Sequence, residues 1–237
     1  MSLTLNNLVL EITRRCNMRC PHCLRGVAQP VNMPNEVINR ITNSVDHIME
    51  VTFTGGEPSL NGAAINHLRW SAHFNQCCLD RFWLTVNARF FKQDFYDALL
   101  DLYAVCSFQD ECTLTISGDQ YHGKQSGKAV KMYSDLPFFS DSWQRRRIDD
   151  DQLLDEGMAR RNGFGRRELI NIPTHITDYD LVGDSLYIGD MVYINAKGDV
   201  LLCCDLSYAR QKKHVIGNVL TEPLGTILRC KLKEKAA

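Results

Sequence analysis

The chain has 237 residues, 44% of them hydrophobic, which is enough for one α/β barrel or one domain with a short appendage and too little for two large domains. Twenty-seven basic residues against 28 acidic ones leave a formal net charge of −1, so no bulk attraction draws the protein to nucleic acid or to an anionic membrane. The first fifteen residues hold no signal-peptide core, and no later apolar run reaches membrane-spanning length.

The expected location is therefore the cytoplasm. There, ten cysteines read as metal ligands and buried thiols rather than as a disulfide framework.

The apolar run 8–12 predicts a short first strand that delivers a cysteine-rich loop, 16–30. Pro34 in a first turn, followed by Val37, Ile38, Ile41, Val45 and Ile48, predicts a helix with one apolar face. A second strand at 51–54 runs into Gly55-Gly56. A helix at 62–76, a strand at 82–86, a helix at 94–103 and a strand at 112–116 continue the alternation. This rhythm predicts βαβ units and a parallel sheet, with the chemistry on loops at the strand C-termini.

Beyond Gly118 the pattern is interrupted by Pro137, Gly163 and Gly165. A fifth strand is expected at 168–172 and a sixth within 186–194. The stretch 192–205, centred on Gly198, reads as a hairpin.

The most informative residues are Cys16, Cys20 and Cys23, spaced C-x3-C-x2-C directly after the first strand. Three thiolates on one loop suit three irons of a [4Fe-4S] cubane and leave the fourth iron open to a non-protein ligand. Zinc is the competing reading, but structural zinc wants four ligands and usually pairs two short clips; no second clip follows within fifty residues. One βα unit downstream stands Thr54-Gly55-Gly56-Glu57-Pro58. Its glycines permit close backbone approach, and its carboxylate suits an ammonium group.

Together the two motifs resemble the radical S-adenosylmethionine (SAM) superfamily. The resemblance implies an α/β fold, a partial (β/α)6 TIM-like barrel over residues 1–195, with a short C-terminal hairpin/helix extension over 196–237. It implies a [4Fe-4S] cluster on Cys16, Cys20 and Cys23, and SAM held by Gly55, Gly56, Glu57 and Pro58. In softer carry-overs, His22 sits at the position near the adenine and Asn87 at a Thr-Asn-Gly-like turn in which Ala88 replaces the glycine. Ser117 and Asp119 belong to a Ser-x-Asp-x-x-His pattern ending at His122. The segment 156–161 resembles a Gly-Arg-Ala element, with Met158 at the arginine position.

The activity so implied is reductive cleavage of SAM to a 5′-deoxyadenosyl radical, followed by removal of hydrogen from an organic substrate. Such an enzyme needs a reductant such as flavodoxin or ferredoxin. At the C-terminus, Gly198-x4-Cys203 and Ile216-Gly217-Asn218-Val219 resemble a SPASM or twitch extension, which favours a peptide or protein side chain as substrate over a small metabolite or nucleotide. The family's preceding ligand cysteine is missing, so Cys203, Cys204 and Cys230 are expected not to form a complete auxiliary cluster. A non-catalytic iron-sulfur or zinc protein is the alternative from another class, and Glu57 argues against it.

Overall fold

The computed structural model describes residues 2–141, 152–168 and 171–233. Its centre is strand β1, Ser2–Thr13, whose apolar residues alternate. Leu8, Leu10 and Ile12 are fully buried on one face, and Val9 and Glu11 point to the other. A register shift between Leu5 and Asn7 reverses the parity, so Leu3 and Leu5 join the same core despite their odd numbers.

The chain alternates as predicted through α1 (Asn35–Thr42), β2 (His47–Gly55), α2 (Gly62–Phe74), β3 (Cys78–Val86), α3 (Gln93–Tyr103) and β4 (Thr113–Ile116). Pro34 precedes the first turn of α1, where its missing N–H costs nothing. Val37, Ile38 and Ile41 of that helix meet Leu68 and Ile65 of α2 over the sheet. The smaller helices are α4 (Gly127–Ser134) and α5 (Gly157–Arg161).

The fifth strand is not where the sequence suggested. Residues 168, 171 and 172 belong to no strand, and 169–170 lie outside the described residues. Asn171 takes a left-handed φ of 62°, and Pro173 lacks the N–H a ladder requires, so an extended run cannot pair there. Strand β5 is instead Tyr179–Val182, antiparallel to β6, Ser185–Ile194.

Strand β6 falls where the sixth strand was expected and pairs in parallel with β1. Strand β7 (Asp199–Leu201) folds back on it, completing the predicted hairpin about Gly198, whose φ of 84° suits glycine. Helix α6 (Tyr208–Gln211), strand β8 (Gly217–Asn218) and helix α7 (Leu224–Arg229) follow.

The sheet order is β4-β3-β2-β1-β6-β7-β8. Five neighbouring strands, β4 through β6, are parallel and form an open partial barrel. One face packs the helices through Leu8, Leu10, Val51, Phe53, Phe82, Leu84, Val192 and Ile194. The alternate positions, among them Asn7, Val9, Glu50, Thr52, Trp83, Thr85 and Met191, line a cavity on the concave face. Among the described residues, no helix is long and apolar enough to cross a membrane.

Candidate functional site

The cysteine loop leaves the C-terminal end of β1 and is held from three directions. From the β2 side, Gly56 N donates to Thr13 O and Glu57 N to Arg15 O, each at 2.8 Å. A Cβ on Gly55 would stand 1.9 Å from Thr13 O, and one on Gly56 would stand 2.2 Å from Arg15 O. The double glycine is therefore required for this turn to press against the loop, and Gly55, with φ 141°, also needs a backbone angle that L-residues avoid.

From α5, Met158 N donates to Cys23 O at 2.8 Å, and a Cβ on Gly157 would fall 2.2 Å from Leu24 O. From the C-terminal segment, the buried Arg25 guanidinium donates to Leu206 O at 2.9 Å and to Cys204 O, and lies over the Tyr193 ring.

All ten cysteines are unpaired, and Cys16, Cys20 and Cys23 are half-buried. Burial pushes the Cys16 thiol up, and it pushes Cys20 up to about 12, with Cys23, Cys16 and Asp119 adding to the rise. Thiols give up their protons when they take a metal. The three thiols border two cavities, of about 770 and 450 Å3, which leave room beside them for a multi-iron cluster.

Glu57 is 2% exposed. Its Oε1 accepts from Ser59 N at 3.2 Å and from Ser59 Oγ at 2.5 Å, and its Oε2 accepts from Asn87 N at 3.0 Å. The side chain reaches the larger cavity but already fastens the end of β3 to the Gly-Gly-Glu turn. Pro58 opens a single 3-10 turn behind it and is buried.

Asn87 is committed as well. Its Nδ2 donates to Asn17 Oδ1 at 2.8 Å and its Oδ1 accepts from Arg89 N at 2.9 Å, which ties the cysteine loop to β3. Ala88 adopts φ 49°, so the backbone keeps the left-handed turn that glycine would make, at a cost of about 1–2 kcal/mol.

At the end of β4, Ser117 lines the larger cavity. Asp119 is bracketed by two histidines: Oδ1 stands 2.8 Å from His122 Nδ1, and Oδ2 stands 3.7 Å from His22 Nε2. His22 also packs on Tyr121 at 4.6 Å between ring centroids. Burial raises Asp119, but His122, the Tyr121 N–H and His22 outweigh it and hold the carboxyl below its usual range. Burial lowers His22, against the pull of Asp119. Ligand atoms of His22, Asp119 and His122 all lie within 4.8 Å, close enough to meet one cation.

The structure thus brings His22, Gly56, Glu57, Asn87 and Ser117 to one cavity with the three cysteines, and Asp119 contacts it through His22 and His122. Gly55 and Pro58 stand behind it as supports. The sequence reading missed Glu50, Thr52, Trp83, Thr85 and Met191 on its floor; strand alternation was the signal, since each lies opposite the apolar positions.

The C-terminal cysteines are dispersed. Cys203 is buried with Val9, Tyr193, Leu201 and Leu206 on the concave side, and Cys204 lines the larger cavity. Cys230 is exposed at the end of α7, whose Leu224, Ile227 and Leu228 pack in the core on the helical face. Cys77, Cys106 and Cys112 are buried as expected of structural thiols, whereas Cys78 is exposed.

Residues 187–235 match the SPASM family, described as an iron-sulfur cluster-binding domain; the match begins inside β6. The native structure of anSMEcpe with bound AdoMet and Cp18Cys peptide is similar at a TM-score of 0.52 and 12% identity, over 98% of this chain and 84% of that one. A polyhistidine-tagged form of anSMEcpe with bound AdoMet aligns with the same score and identity over 94% and 80%. No curated protein matches the chain by sequence.

The chain shares the fold of anSMEcpe, and its C-terminal segment matches the SPASM family. At 12% identity the structural likeness speaks for this fold, and the assignment of chemistry rests on the site itself.

Proposed function

We propose that this protein is a cytoplasmic radical SAM enzyme acting on a peptide or protein side chain. The observation that carries the reading is the contact between its two motifs. The Gly55-Gly56-Glu57 turn is hydrogen-bonded backbone to backbone onto the loop of Cys16, Cys20 and Cys23, and both border one cavity of about 770 Å3. A structural iron site has no need of a ligand pocket on its open side.

The three thiolates would hold a [4Fe-4S] cluster, and the Gly56–Glu57 edge, with Asn87 and Ser117, would receive SAM. Once bound and given one electron by an external reductant, these groups would supply the radical chemistry that removes a hydrogen atom from the substrate. The chain's own part is to aim and to enclose. Glu57 and Asn87 fix the turn, His22 offers an aromatic face to the adenine, and the Asp119–His122 pair provides a proton acceptor at the cavity rim.

Residues 1–195 form the cofactor-binding barrel. Residues 196–237 shape the cleft, through Cys204 and Asp205, without a complete auxiliary cluster. A peptide substrate is supported by the peptide bound in the similar anSMEcpe structure and by an open concave cleft. Anaerobic reconstitution with iron and sulfide, followed by incubation with SAM and dithionite, should yield 5′-deoxyadenosine. A reconstituted protein that carries iron and yields none would refute the proposal.

A further inference from the structure

His22, Asp119 and His122 are metal-ligating side chains that a cluster on Cys16, Cys20 and Cys23 leaves unused. Asp119 and His122 form a short clip on the loop after β4, closed by His122 N donating to Asp119 O at 3.2 Å, and His22 reaches them from the cysteine loop. One ligand atom from each residue lies within 4.8 Å of the other two.

The three side chains surround a gap that hydrogen bonds do not close. His122 Nδ1 stands 2.8 Å from Asp119 Oδ1 yet makes no hydrogen bond, and His22 Nδ1 is buried without a hydrogen-bond partner as well. His22 Nε2 stops 3.7 Å from Asp119 Oδ2, too far for a hydrogen bond. Nitrogen and oxygen ligands at about 2.0–2.1 Å from one cation stand roughly 3.0–3.4 Å apart, and the observed separations of 2.8 and 3.7 Å bracket that spacing. The arrangement is braced from outside. The His22 ring packs on Tyr121 at 4.6 Å between centroids, Tyr121 packs on Phe164 at 5.8 Å, and Tyr121 N donates to Asp119 Oδ1 at 2.9 Å.

We propose that His22, Asp119 and His122 form a mononuclear site for a divalent cation of the zinc class, with a ligand set distinct from the cluster cysteines. Two imidazoles and one carboxylate suit such a cation better than calcium or magnesium, which take oxygen ligands. Three protein ligands leave a position for water or for an oxygen of the substrate. His22 and His122 line the cavity of about 770 Å3, so a cation held between them borders the space the substrate would enter. The cation takes the place of the proton that the Asp119–His122 pair accepts in its absence. Bound in the plane of the His22 ring, it leaves the ring face to the adenine. The inference does not depend on the radical SAM reading.

The test titrates the reconstituted chain with zinc. Metal content is read by elemental analysis, affinity by competition with a chelator, and ligand type by X-ray absorption fine structure at the zinc edge. About one zinc per chain is expected, with nitrogen and oxygen at about 2.0–2.1 Å and no sulfur at about 2.3 Å. Losing even an outer partner of a metal ligand costs about 10–100-fold in affinity, so His122→Ala and the near-isosteric Asp119→Asn should each weaken zinc binding at least about tenfold. His73→Ala, which removes an exposed histidine of α2, should bind as wild type. The Cys16/Cys20/Cys23 triple alanine variant should keep its zinc.

No bound zinc, zinc held through sulfur, zinc lost with the three cysteines, or wild-type affinity in Asp119→Asn and His122→Ala overturns the site. The edge spectrum of the unsubstituted chain decides the ligand type without requiring any variant to fold. A protein that binds zinc in this way but forms no 5′-deoxyadenosine overturns the enzymatic reading instead, so the two failures are separable.

Discussion

Glu57→Gln separates a structural role for this carboxylate from a purely ligand-binding one. Both oxygens of Glu57 are used inside the protein: Oε1 by two donors of Ser59, and Oε2 by the N–H of Asn87. A glutamine side chain has one acceptor oxygen, and its best placement keeps the Ser59 pair and turns its NH2 toward the Asn87 N–H. Donor then faces donor in a buried site. Losing a hydrogen bond to a charged group costs about 1.5–3 kcal/mol. Relief from burying a charge offsets part of this, leaving a loss on the order of 1–2 kcal/mol.

With a urea m-value of about 2 kcal/mol/M, the unfolding midpoint of the cluster-free protein should fall by roughly half to one molar. The pH dependence carries a sign as well. Burial raises the Glu57 carboxyl above its ordinary value of 4.5 despite the bonds from Ser59 and Asn87. Between the unfolded and folded values the native state binds more protons, so this group makes the wild type less stable as pH rises through that window. The variant should lack that contribution. An unchanged midpoint in the cluster-free variant would refute the fastening role and leave SAM contact as the sole function of Glu57.

Gly56→Ala should destabilise the protein by about 1–3 kcal/mol or more and reduce iron uptake, because its Cβ would stand 2.2 Å from Arg15 O. Gly127→Ala, which meets nothing within 4 Å, is the matched control for thermal unfolding. Replacing Cys16, Cys20 and Cys23 together with alanine should lower bound iron from about four per chain to none. Iron analysis that finds about four remaining would place a cluster elsewhere, with Cys203, Cys204 and Cys230 as first suspects. Asp119→Asn removes the charge that holds His22 up against burial, so an NMR titration should show His22 moving further below its ordinary value; no movement would mean the pair is not coupled.

The parts of the fold that could be read from the sequence were those written in short-range chemistry. The cysteine spacing, the double glycine and the βα rhythm through Ile116 each lie within one turn or one element, where local sterics decide. What could not be read depends on contacts distant in sequence. Gly157 looked like part of a family element, yet its observed role is to let α5 approach Leu24, more than a hundred residues earlier. The buried Arg25 offered no pattern, because its acceptors are the carbonyls of Cys204 and Leu206. The run 168–172 looked like a strand by composition, but Asn171 and Pro173 break it.

The position of β6 gives the C-terminal segment a structural reason to keep its SPASM-like pattern. With five parallel strands in an open sheet, β1 would be an edge strand if β6 were absent, with the cysteine loop hanging from its end. Strand β6 covers that edge, and Glu11 anchors it: its carboxylate accepts from Arg14 Nε at 2.5 Å, Gln211 Nε2 at 3.0 Å, Ala196 N at 3.1 Å and the Tyr193 hydroxyl. Those partners come from the end of β1, β6, the hairpin turn and α6, so one buried carboxylate fastens most of the extension to the strand that carries the cysteine loop. A network of this kind is costly to leave half-made, and each donor lost exposes a buried charge without a partner. The hairpin's Gly198 and the Ile216–Val219 run therefore have a structural reason to persist that does not depend on iron. They hold the edge of β1, and through it the geometry of Cys16, Cys20 and Cys23.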